Sequence, residues 1–213
     1  MLEKIQFVKP EEIEARSMAI IEEELKAKNA FHRWSPGEYA VVRRCIHTSA
    51  DFEYADQMYF SDGAVETALR AIKDGAHIIT DTKMAASGIN KKRLSVFEGQ
   101  VHCFMDDPQV AREAKARGIT RSAVCMERGS QVEGKKIFAV GNAPTALIRL
   151  YELIREGKVQ PELIIGVPVG FVNVVESKEL IIQAGVPCIV ARGRKGGSNI
   201  AAAICNALIY QCS

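Results

Sequence analysis

What this sequence lacks narrows its identity before any motif is read. Its 213 residues contain no run of about 18 uncharged apolar residues, the length needed to cross a bilayer core, so no membrane-spanning helix is expected. The opening segment, MLEKIQFVKPEEIE, carries acids and bases throughout and no continuous apolar stretch, which argues against a secretory leader. Charge of one sign is also missing. Its 28 Lys and Arg against 26 Asp and Glu leave +2, which gives no bulk field for a nucleic acid or a membrane surface. The six cysteines, at 45, 103, 125, 188, 205 and 212, form no C-x-x-C pair and no zinc-ligand spacing. Reduced thiols are the simplest reading, and Cys188, inside the apolar run from Val186 to Val190, behaves as a small hydrophobe. A cytoplasmic protein with no metal site is expected.

Absent motifs narrow the chemistry further. No G-x-G-x-x-G follows an apolar run, which weakens a dinucleotide reading. Gly129 to Lys135 matches G-x-x-x-x-G-K, but Lys136 stands where a P-loop requires Ser or Thr, and the segment precedes a strand instead of following one. G-x-S-x-G and H-E-x-x-H do not occur, and His102-Cys103 is a lone pair in a strand, its side chains on opposite faces. Triad hydrolysis and metal catalysis therefore lack their residues. A histidine remains, with hydroxyls, amides and arginines, a set suited to proton transfer on a large anionic ligand.

Hydrophobic residues at 47% and charged residues at 25% are ordinary globular usage, and the length predicts one domain at roughly 100 to 200 residues each. Pro10-Glu11-Glu12 reads as a helix start, because proline suits the first turn and acids oppose the positive dipole end. The helix runs toward Lys28 with Ile13, Ile20, Ile21 and Leu25 on one stripe, and Ser17 falls on that stripe. Ser17 is then either a buried hydroxyl bonded back to its own helix or a pocket contact. Ser35-Pro36-Gly37-Glu38 is a capping box for a second helix, whose stripe is Tyr39, Val42, Cys45 and Ile46. His47 falls off that face, near Arg43, where it is either an ordinary solvated side chain or a functional one.

From residue 63 the pattern alternates. Helices are expected over Gly63–Lys73, Ala85–Phe97, Pro108–Arg117, Arg121–Arg128, Pro144–Glu156, Val174–Ala184 and Ser198–Tyr210. Apolar strand runs are Ala76–Thr80, Gln100–Met105, Lys136–Val140, Leu163–Val167 and Pro187–Ala191. Five strands separated by helices specify a three-layer α/β fold, a doubly wound parallel sheet with the N-terminal helices added to it. Ligands of such sheets bind beyond the carboxyl ends of the strands. Of the loops there, Arg192-Gly193-Arg194-Lys195-Gly196-Gly197-Ser198 is the most informative. Cations and glycines before a helix start form an anion receptor, against the plainer alternative of a solvated basic turn.

Several blocks recur together in the order and spacing of one family. They are Ala15-Arg16-Ser17, Arg43-Arg44-Cys45-Ile46-His47, Asp81-Thr82-Lys83-Met84 with Gly88-Ile89, Thr120-Arg121-Ser122-Ala123, Gly141-Asn142-Ala143-Pro144-Thr145-Ala146-Leu147, Pro168-Val169-Gly170-Phe171-Val172, Glu176-Ser177-Lys178 and Gly193 to Ser198. Across nearly the whole chain they resemble the precorrin-8X methylmutases of corrin biosynthesis. Asn173 departs from the family, which more often has glycine after Gly-Phe-Val. The resemblance implies a flavodoxin-like homodimer that moves a methyl group from C11 to C12 of a tetrapyrrole, without a cofactor or external methyl donor. It implies that His47 is the catalytic group, protonating or hydrogen-bonding a ring nitrogen. Arg43, Arg121, Arg194 and Lys195 would hold substrate carboxylates, with Ser17, Thr82, Asn142, Gly196, Gly197 and Ser198 as further contacts. Two other classes stay open on the residues alone: a nucleotide- or phosphosugar-binding α/β enzyme using the same edge, and a tetrapyrrole carrier without catalysis.

Overall fold

The computed structural model describes residues 7–27 and 33–212. Lys28, where the first helix is expected to end, and the first six residues of the opening segment lie outside that range. In chain order, a 3-10 turn at Pro10–Glu12 leads into α1 (Ile13–Ala27), then α2 (Pro36–Ser49), α3 (Tyr54–Gln57), β1 (Met58–Phe60), α4 (Ala64–Lys73) and β2 (His77–Thr80). There follow α5 (Lys83–Gly88), α6 (Lys91–Leu94) with a 3-10 turn at Ser95–Phe97, β3 (Val101–His102), α7 (Pro108–Arg117), α8 (Arg121–Ser130) and β4 (Lys136–Val140). The remainder is α9 (Pro144–Arg155), β5 (Leu163–Gly166), α10 (Val174–Ile182), β6 (Cys188–Ala191) and α11 (Ser198–Gln211).

The sheet has six strands in the order β1-β6-β5-β4-β2-β3. All pairs are parallel except β1 on β6, where Met58 faces Ala191 and Phe60 faces Ile189. Without β1 the order is that of flavodoxin-like sheets, in which the chain reverses its winding between the first and third parallel strands, here β2 and β4. Successive residues of each strand feed two separate cores. Ile79, Phe138, Ile164 and Cys188 pack with α8, α9 and α10 on one face, while Ile78, Ile137 and Leu163 pack with α2, α4 and α11 on the other. Phe138, Leu147 and Leu150 are fully buried, each contributing about 1.5–3 kcal/mol by the removal of apolar area from water.

Three expectations are corrected. The five-strand sheet gains a sixth, because Met58–Phe60 is too short to carry a period and becomes a strand only by adding to the free edge of β6. The run expected over Gln100–Met105 shortens to Val101–His102, since it pairs with β2 alone at the opposite edge. The single helix expected over Ala85–Phe97 breaks at Gly88–Asn90, where Gly88 presses against Ala202 and Asn206 donates to the Gly88 carbonyl while accepting from the Asn90 amide. On α1 only Ile21 and Leu25 are buried, and Ile13 and Ile20 remain about half exposed. The capping box at Ser35 is present in both directions, the serine hydroxyl accepting from the Glu38 amide and the Glu38 carboxylate from the Ser35 amide. No helix among the described residues is long and apolar enough to cross a membrane.

The loop after β6 folds back on the loop after β5. The Gly197 amide donates to the Val167 carbonyl at 2.9 Å, and a Cβ on Gly196 would overlap that same oxygen and stand 2.8 Å from the Pro168 carbonyl. Both obstacles are backbone and cannot swing aside. Gly196→Ala is therefore expected to lower stability by roughly 1–3 kcal/mol or to prevent folding, read as a reduced urea midpoint.

Candidate active site

The crevice where the winding reverses is closed by one carboxylate. Asp81, the first residue after β2, is fully buried, and its oxygens accept from the amides of Gly141 at 2.9 Å, Asn142 at 2.9 Å and Ala143 at 2.8 Å. Burial pushes this carboxyl above its ordinary range against the opposing pull of the three amides. Thr82 follows at once and caps α5 by accepting from the Ala85 amide, while its hydroxyl lies 2.7 Å from that of Ser198 at the start of α11. A Cβ on Gly141 would come within 2.6 Å of the Ser198 Cα, so glycine lets β4 reach α11. The loops after β2, β4, β5 and β6 thus meet as one surface, with Thr82, Gly141, Gly196, Gly197 and Ser198 joined in it.

His47 reaches the same end through helix packing. Gln211 at the end of α11 donates to the Gly37 carbonyl at the start of α2, and Lys195, just before α11, pairs with Asp51, just after α2. The two helices therefore run antiparallel, and the last turn of α2 lies at the carboxyl edge of the sheet. His47 is half-buried there, with Arg43 one turn earlier resting over the Tyr39 ring at 5.5 Å. Glu14 pairs with Arg44 at 2.9 Å, which brings the first turns of α1 beside the last turns of α2. Ser17 is half-buried on that part of α1 and donates to the Ile13 carbonyl at 3.0 Å.

The remaining expected contacts divide by partner. Arg121 and Asn142 are exposed at the starts of α8 and of the β4–α9 connection, and their side chains have no hydrogen bond or ion pair with any described residue. The Arg194 guanidinium lies 5.5 Å from the Phe171 ring, itself 82% exposed beside Val169 and Val172. Lys195, expected as a carboxylate clamp, has its ammonium 2.5 Å from an Asp51 oxygen and 3.0 Å from a Glu53 oxygen. These two carboxylates hold the lysine well charged.

Sequence reasoning missed the groups that brace this surface. Thr120 and Thr145 share a hydrogen bond at 2.8 Å, joining the starts of α8 and α9. Lys178 is fully buried, its ammonium donating at 2.8 Å to the carbonyls of both Gly193 and Lys195. Its position is a readable signal, for Val174, Ser177, Lys178 and Ile181 form the buried stripe of α10, and a lysine on a core stripe needs acceptors. Burial lowers the Lys178 ammonium to about 8. No group of three or more His, Cys, Asp or Glu side chains among the described residues could hold a metal ion.

A doubly wound α/β sheet whose carboxyl edge presents an imidazole, hydroxyls and unpaired guanidinium groups defines the class: a small α/β enzyme of the flavodoxin-like architecture. The chain belongs to the precorrin-8X methylmutase family, whose model matches residues 12–211. Cobalt-precorrin-8 methylmutase of Salmonella typhimurium is 45% identical over 203 residues, covering 94% of this chain and 95% of the relative. Precorrin-8X methylmutase of Sinorhizobium sp is 38% identical over 195 residues, covering 91% and 90% respectively. A solved structure of precorrin-8x methyl mutase from Thermus thermophilus superposes with a TM-score of 0.83 at 43% identity, over 94% of this chain and 97% of that one.

Lys178 has a pH signature. Its folded value near 8 lies below the ordinary lysine value of 10.5, so between those limits the unfolded chain binds more protons and stability rises with pH. The full swing is about 3 kcal/mol. The expected result is that the difference in unfolding free energy between wild type and Lys178→Met changes across pH 8 to 10.5 in that direction, followed by urea titration at each pH.

Proposed function

We propose that this chain is the isomerase that moves a methyl group within the ring of precorrin-8X or its cobalt form, giving the corrin skeleton in cobalamin biosynthesis. Family membership over almost the whole chain supports the reaction. The observation that carries the site is a set of side chains without hydrogen-bond partners among the described residues, His47, Arg121 and Asn142, exposed or half-buried around one edge. Arg121 is the first residue of α8, where a cation opposes the positive end of the helix dipole. That placement gains nothing for the fold and becomes favourable when a carboxylate arrives. Arg194 adds a second guanidinium, 5.5 Å from the Phe171 ring, and the exposed apolar tip at Val169, Phe171 and Val172 suits the face of a ring whose rim carries the carboxylates.

His47 is the group proposed to act on the ring. A proton or strong hydrogen bond delivered to a ring nitrogen withdraws electron density from the conjugated system, which eases the shift of a methyl from one ring carbon to its neighbour. All atoms of the migrating group stay on the substrate, so the chain's task is to orient the ring, exclude water and hold that one proton. Arg43, Ser17, Thr82 and the Gly196-Gly197-Ser198 turn are proposed to line the site around it.

We also infer a homodimer in the cytoplasm. Ile13 and Ile20 are 53% and 47% exposed on α1 beside the His47 helix, apolar area that a second copy would cover. All six cysteines are free thiols, in keeping with a reducing compartment.

Incubation of the purified protein with the precorrin or its cobalt form, followed by absorbance, tests the reaction. A time-dependent conversion is expected. Tight binding with an unchanging spectrum would make the protein a carrier, and no binding, with phosphate ligands bound instead, would make it a nucleotide or phosphosugar enzyme. His47→Ala should fold and bind the tetrapyrrole while single-turnover rate falls by roughly 10² to 10⁴, whereas Arg121→Ala should mainly weaken the affinity read by absorbance titration. Wild-type turnover in His47→Ala would remove the imidazole from the mechanism.

Sedimentation at micromolar concentration should show a species of about twice the chain mass, and Ile13→Glu with Ile20→Glu should shift it toward a single chain. A wild type that sediments as one chain would rule the dimer out.

A further inference from the structure

Lys195 stands in the basic loop as if to receive an anion, yet both of its ends are already held. Its ammonium bonds Asp51 at 2.5 Å and Glu53 at 3.0 Å, and its carbonyl accepts from the buried Lys178 ammonium at 2.8 Å. A substrate carboxylate could reach this ammonium only by displacing two carboxylates of the protein that already occupy it. On the other side of the contact, Asp51 is also committed, its second oxygen accepting from the Glu53 amide at 3.0 Å.

The tie falls at a particular place in the chain. His47 is in the last turn of α2, and Ala50, which ends that helix, has φ of 55°, in the left-handed region where a Cβ costs about 1–2 kcal/mol. Such a conformation persists where its surroundings hold it. Here the Ala50 amide bonds the Ile46 carbonyl at 2.7 Å, and the next residue, Asp51, is anchored across 144 positions of sequence to Lys195. The end of the His47 helix is thus fastened to the loop that carries Arg194.

We propose that Lys195 is a positioning residue for His47, which sets the imidazole against the ring by bracing Asp51 and Glu53, and is not a carboxylate clamp. The proposal rests on the methyl-migration reading above. The lysine and Asp51 side chains are 39% and 28% exposed, and an ion pair that wet contributes little to stability, so the fold survives its loss and the geometry at His47 does not.

The experiment compares Lys195→Met, Asp51→Asn, the double variant and Lys195→Arg with wild type, on the tetrapyrrole substrate and in its absence. Each single variant should lower kcat by about 10- to 100-fold with KM within about twofold, because misplacing the proton donor by an ångström affects the reaction and not ring binding. The double variant should be no worse than either single one, and Lys195→Arg should recover most of the rate. Independently of turnover, the His47 imidazole resonances and the amide exchange of residues 48–53 should change in both single variants. A raised KM with unchanged kcat in Lys195→Met, together with wild-type behaviour in Asp51→Asn, would make Lys195 a clamp after all. Unchanged His47 resonances and amide exchange in both variants would overturn the brace whether or not substrate turns over. A wild type inactive on the tetrapyrrole would instead count against the reaction assignment, leaving the resonance measurement to decide the brace.

Discussion

The structure depends on a buried carboxylate that must find its donors. Asp81 lies where the sheet reverses its winding, fully out of water, and three successive amides of the β4–α9 connection are turned toward it. A charge in that position costs several kcal/mol unless it is fully hydrogen-bonded, so the connection has little freedom to adopt another shape. The shape of the connection in turn places its neighbours. Asn142 projects outward, Pro144 begins α9, and Gly141 brings β4 against the first residue of α11. The adjacent Thr82 joins Ser198, so one short segment after β2 organises the loops of three strands.

Around that centre the cations are divided between two tasks. The lysines are spent on the protein itself: Lys178 under the basic loop, Lys195 across to the end of α2, and Lys83 across to Asp106. Arg44 and Arg192 likewise pair with Glu14 and Glu179, whereas Arg121 and Arg194 have no ion pair with a described residue. This partition suits their chemistry, for an ammonium is a compact point charge that fits among carbonyls, whereas a planar guanidinium offers paired donors to a carboxylate and stacks on an aromatic face. Arg194 lies over the Phe171 ring at 5.5 Å, a cation–π contact that leaves its N–H donors available.

The edge also draws on both layers of helices. His47 and Ser198 come from the face packed by α2 and α11, and Arg121 from the face packed by α8 and α9. A tetrapyrrole, whose carboxylate arms surround an apolar ring, is the ligand proposed to meet both layers.

The strands and helices from residue 63 onward were legible because their periods change sharply from two to 3.6 and because proline and glycine mark the breaks, as at Pro108, Gly118 and Pro144. The carboxyl edge of the sheet followed from the parallel order, and the family resemblance named His47, Arg121 and Arg194, which lie there. Sequence patterning did not disclose β1, whose three residues become a strand only against β6, nor the break at Gly88, which exists because α11 passes there. Nor did it disclose that Lys195 is paired with Asp51. Local chemistry fixes what a side chain is able to do, but whether it is free to do it depends on partners far along the chain. Asp81 with Gly141, Lys178 with Gly193 and Lys195 with Asp51 are such pairings, and a buried or bridged charge is decided by the tertiary contacts that satisfy it.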